Sequence, residues 1–72
     1  MYLIDAVTQK ENVIQHATER APFGPGFSSE VAAKADRLEI WGSSFEDAGP
    51  DFTEFRLMAG DVVIEKRRVL GY

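Results

Sequence analysis

Apolar and polar residues alternate most regularly from Phe52 to Val69, and the alternation turns back on itself at Gly60-Asp61. With those two as the central residues of a hairpin turn, Phe55, Leu57, Val62 and Ile64 share one pleat face, which reads as core. The same register sets Arg56 opposite Glu65 and Glu54 opposite Arg67, so opposite charges meet on the second face. A turn at Ala59-Gly60 would bring Glu54 against Glu65 instead, a like-charge contact, and the first register is favoured.

Upstream, Tyr2 to Val7 is apolar apart from Asp5 and predicts a first strand. Thr8 and Glu11 have the spacing of a capping box, in which hydroxyl and carboxylate satisfy each other's backbone amides, so a helix is expected to start there. Val13, Ile14, Ala17 and Ala21 give that helix a narrow apolar stripe, and Pro22 ends it. Phe23-Gly24-Pro25-Gly26-Phe27 is a loop whose two phenylalanines are expected in the core. Ser28 or Ser29 then caps a short second helix through Ala35. From Arg37 the period changes to two, predicting a strand that reaches Phe45. Residues 46–51 form an acidic turn into the hairpin.

These elements predict an α+β fold: a small antiparallel sheet, made of a C-terminal three-stranded meander and an N-terminal strand, with one longer and one short helix on one face. A single domain spanning residues 1–72 is expected. Trp41, Met58 and Val69 complicate a one-sided sheet, because on the second face they would add apolar area that a partner or a second copy would cover.

Charge sharpens this picture. The net charge is −4, which disfavours direct binding to nucleic acid or to an anionic membrane. It is also uneven: between Leu38 and Phe55 the ionised side chains are Glu39, Glu46, Asp47, Asp51 and Glu54, with no Lys or Arg among them. Cysteine is absent, which excludes disulfides and thiolate zinc sites. No apolar run approaches the ~20 residues of a membrane span and no signal-peptide pattern is present, so a soluble, cytoplasmic protein is expected.

Candidate chemistry is thin. Asp47 and Asp51 lack the spacing of a calcium loop, and Pro50 stiffens the backbone that would wrap the ion. Gly24-Pro25-Gly26 lacks the spacing and lysine of a phosphate loop. Lys66, Arg67 and Arg68 form a basic run, but strand alternation splits it between two faces. His16 has no second histidine or cysteine to complete a ligand set and reads as a boundary or surface residue. Ser28, Ser29, Ser43 and Ser44 lack a nucleophile setting. No catalytic residue, cofactor or metal is therefore expected, and no motif points to a family.

The remaining reading is a non-catalytic interaction module that docks an acidic surface on a basic protein or a nucleic-acid-binding complex. Glu46, Asp47, Asp51 and Glu54 would be its electrostatic contacts and Trp41 its apolar anchor. In charge and size the chain is similar to small phage inhibitors, certain anti-CRISPR proteins among them, that present carboxylates where such a complex expects phosphates; the similarity implies an inhibitor acting as a nucleic-acid mimic. The alternative is a structural domain that pairs with its own copy as a homodimer through the second sheet face.

Overall fold

The computed structural model of the chain describes residues 2–20, 23–42 and 52–70. Four strands, β1 (Tyr2–Val7), β2 (Arg37–Gly42), β3 (Phe52–Ala59) and β4 (Val62–Leu70), lie in the order β1-β2-β3-β4, each neighbouring pair antiparallel. Helices α1 (Lys10–Thr18) and α2 (Ser29–Ala33) occupy the crossover from β1 to β2. This is the small α+β architecture that the alternation predicts.

The core lies between the helices and one sheet face. Val13 and Ala17 of α1, with Ala32, Ala35 and Phe27, bury against Leu38, Phe55 and Leu57 of the central strands. Ile40, Ile64 and Val69 pack at its margin. Val69 therefore belongs to the helix side, whereas Trp41 and Met58 lie on the second face, in line with Glu54 and Arg37 across the β2–β3 pair. Phe23 is 73% exposed and Val62 is 64% exposed, so neither joins the core as the sequence suggested. Phe27 and the fully buried Pro25 anchor the glycine- and proline-rich segment.

α1 is shorter than its sequence signals. Its N-cap is Gln9, without a side-chain cap, so the Thr8–Glu11 box does not form. It stops at Thr18 because the next turn of chain doubles back: Phe27 donates to the Ala17 carbonyl at 2.9 Å and Gly26 to the Glu19 carbonyl at 2.6 Å, satisfying acceptors that a further helical turn would have used. α2 begins as expected, the Ser28 hydroxyl accepting the Val31 amide. Its last turn is held from α1, where the Lys10 ammonium donates to the carbonyls of Ala33 and Ala35.

The hairpin turns at Gly60-Asp61, with Gly60 at φ 59°, a left-handed conformation that glycine adopts without steric cost. Met58 pairs with Val63, but Leu57 pairs with Glu65, so Ile64 is an extra residue in β4. This bulge moves every later pair by one position. Arg56 faces Lys66 rather than Glu65, Phe55 faces Arg67, and Glu54 faces Arg68 rather than Arg67. The turn is clasped from the entry to β2: the Asp36 carboxylate accepts the Gly60 amide at 2.6 Å, and the Arg37 guanidinium donates to the Gly60 carbonyl at 3.1 Å.

Candidate functional site

Two places gather polar chemistry among the described residues. The first is the sheet face away from the helices, where β2, β3 and β4 carry a continuous chain of charge and aromatic contacts. Arg37 donates to Asp36 and Glu39, each at 2.9 Å. Glu39 also accepts the Trp41 indole N–H at 3.1 Å, and Arg56 lies 4.5 Å from the centre of the Trp41 ring. Arg56 and Arg68 both donate to Glu54, and Arg68 stacks over Phe52 at 4.3 Å.

The sites named from the sequence fall unevenly on this arrangement. Glu46, Asp47 and Asp51 lie outside the described residues. Trp41 is on the second face and half-buried, its ring already covered on one side by Arg56. Glu54 is only 3% exposed, and both its oxygens are held by arginines, so its charge is neutralised within the sheet. Burial pushes the Glu54 carboxyl up, but the Arg56 and Arg68 hydrogen bonds and charges outweigh it and leave it below the ordinary carboxylate range. Glu39 follows the same pattern, with burial overcome by Arg37, Trp41 and Arg56. Asp36 is lowered chiefly by the Gly60 amide.

The second place is a cavity of about 520 Å³ on the helix side, between the end of α1 and strands β1 to β3. Ile4, Ile40 and Phe55 supply apolar wall, and exposed Phe23 flanks it. Its polar lining consists of Asp5, His16, Glu19 and Thr53. His16, exposed on α1, sits with Nδ1 3.3 Å from Glu19 Oε1. Thr53 is 6% exposed, and its hydroxyl makes no hydrogen bond among the described residues. Every fully enclosed side-chain polar atom of those residues does have a partner, so the Thr53 hydroxyl retains access to the cavity.

Sequence reasoning missed this cavity. Its lining comes from five separate stretches, joined only by the return of the chain after α1 and by the irregularity between Leu3 and Asp5 in β1. Ile4 falls at that irregularity and is 54% exposed, a placement that alternation does not foretell. No group of three or more histidine, cysteine or carboxylate side chains suited to a metal occurs among the described residues. None of their helices is long and apolar enough to cross a membrane.

No family model, curated protein or solved structure matches this chain.

Proposed function

We propose that this is a non-catalytic interaction module that docks an acidic surface on a basic partner, a protein or nucleic-acid-binding complex in the cytoplasm where such complexes act. One observation carries the proposal. Residues 43–51, which join the central strands β2 and β3, hold Glu46, Asp47 and Asp51 and no Lys or Arg, while Arg37, Arg56 and Arg68 on the neighbouring strands are already engaged by Asp36, Glu39 and Glu54. Three negative charges thus fall on a short connection that carries no basic residue of its own, and such a concentration steers and orients a positively charged partner. Glu54, by contrast, acts as an internal tie, and the docking charge reduces to the connection.

The same arrangement suits an inhibitor that occupies a groove built for phosphates, because closely spaced carboxylates on a compact body reproduce the charge of a short backbone stretch. Affinity capture from the native cellular background tests this. The expected result is a basic partner retained in low salt, released as salt rises, and lost to the triple change Glu46→Lys, Asp47→Lys, Asp51→Lys. Capture unaffected by that change and by salt would overturn the proposal. A dimer stable in high salt and broken by Trp41→Arg would favour self-association instead.

A further inference from the structure

The cavity beside α1 is lined by residues that lie close to the acidic connection in the chain, since Thr53 follows Asp51 by two residues and Ile40 precedes Ser43 by three. Its volume of about 520 Å³ falls within the range of small-ligand sites, roughly 300–1,000 Å³. The chemistry is one-sided. Asp5 and Glu19 are carboxylates, Thr53 is 6% exposed with a hydroxyl that makes no hydrogen bond among the described residues, and no Lys or Arg appears among the described lining residues.

Apolar surface surrounds these acceptors. Phe23 and Ile4 are among the most exposed large apolar side chains of the described chain, and both border this cavity, with Phe55 and Ile40 deeper in the wall. An occupant must therefore pair a cation with an apolar stem. A guanidinium meets that description better than an ammonium, because its planar fork presents several N–H donors to carboxylates and a hydroxyl while its face stacks on an aromatic ring.

We propose that the cavity receives an arginine side chain, with an apolar neighbour, from a segment of the basic partner. Asp5 and Glu19 meet the guanidinium, Thr53 accepts one of its N–H groups, and Phe23 packs on its stem or face. His16 acts through Glu19, whose carboxylate it holds on the cavity side of α1. The proposal rests on the docking reading above and supplies it with a specificity pocket: the acidic connection attracts a basic segment, and the cavity selects one residue of it.

An NMR titration of the full chain with the acetylated, amidated tripeptide Leu-Arg-Leu tests this, with the citrulline tripeptide as a neutral isostere. The expected result is saturable shifts in the amides of Asp5, Glu19, Ile40 and Thr53, with the citrulline peptide at least about fivefold weaker, because charge-assisted hydrogen bonds are roughly twice as strong as neutral ones. The pair of changes Asp5→Asn and Glu19→Gln is expected to weaken the arginine peptide about tenfold, and Thr53→Val about threefold. Equal binding of the two peptides, shifts confined to another surface, or no saturation overturns the inference. The isostere comparison uses the unaltered chain and so decides the matter even where a variant fails to fold. If reversal of Glu46, Asp47 and Asp51 abolishes partner capture while the tripeptide ignores the cavity, the pocket alone is refuted; if the tripeptide binds there but capture ignores the reversal, the docking reading alone is refuted.

Discussion

Glu54 on β3 stands directly across from Arg68 on β4, their side chains joined at 3.0 Å, and the extra residue Ile64 is what brings them together. Without the bulge, Arg68 would meet the next position along β3. The nearly enclosed carboxylate gains a second cation beside Arg56, and the face away from the helices acquires a tie across three strands.

Glu54→Gln is expected to destabilise the fold by about 1–3 kcal/mol, since it removes charge from hydrogen bonds made by a nearly buried acceptor and leaves two arginines without their counter-ion. Arg56→Met should cost more than Arg68→Met, because the Arg56 side chain is 24% exposed and stacked on Trp41, whereas that of Arg68 is 55% exposed and better screened. Urea denaturation midpoints at constant slope measure both differences.

Acid should weaken the fold in a defined direction. Glu39, Glu54 and Asp36 all have carboxyls held below their ordinary values in the folded chain. Their contribution is complete above the unfolded-state carboxylate range of about 3.9–4.3 and is lost as pH falls through the lower folded values. Stability should thus hold at neutral pH and decline below about pH 4, less steeply in Glu54→Gln. Denaturation curves collected from pH 7 to pH 2 check this.

Two glycines should respond differently to alanine. Gly60→Ala meets no atom within 4 Å but retains a φ of 59°, so its cost is the left-handed backbone alone, about 1–2 kcal/mol, and Gly60→Asn should recover part of it. Gly24→Ala would place Cβ 2.6 Å from the Glu19 Cβ and 2.8 Å from its carbonyl oxygen. Backbone must then shift, at about 1–3 kcal/mol. The Glu19 amide signal should move in the second variant and stay in place in the first.

Phe23 and Phe27 flank the same short loop yet should behave in opposite ways. Phe27→Ala opens the core and is expected to cost about 3–5 kcal/mol, whereas Phe23→Ala should stay within about 0.5 kcal/mol. Thermal melts of the two variants side by side measure the contrast. A large loss from Phe23→Ala would mean that its exposed ring supports the fold.

What the chain order reveals of this architecture depends on how local the signal is. The Gly60-Asp61 turn and the Ser28 cap are legible because each is fixed by one residue and its immediate neighbours. The bulge is not, since Ile64 and Glu65 each suit a regular strand and only the long-range ties of Glu54 and Arg67 distinguish the two registers; Arg67 donates to the Pro25 carbonyl at 2.7 Å, far away in sequence. The Thr8–Glu11 box is overruled by an N-cap at Gln9, and the end of α1 by hydrogen bonds from a loop that sequence reading treats as a separate unit. Of the candidate contacts, Trp41 lies on the expected face and Glu54 is an inward tie, a distinction that depends on burial and has no trace in local spacing.

The bounds of the sheet also bear on how this protein behaves in a crowded solution. β4, nine residues long, forms one margin, and a strand of that length offers a template for runaway strand addition between molecules. Lys66, Arg67 and Arg68 stand consecutively along it, so two such margins approaching each other would bring like charges together before any hydrogen bonds formed. Replacing these three with uncharged strand-formers would remove that repulsion along the margin, and with it the Arg68 tie to Glu54 and the Arg67 tie to the Pro25 carbonyl.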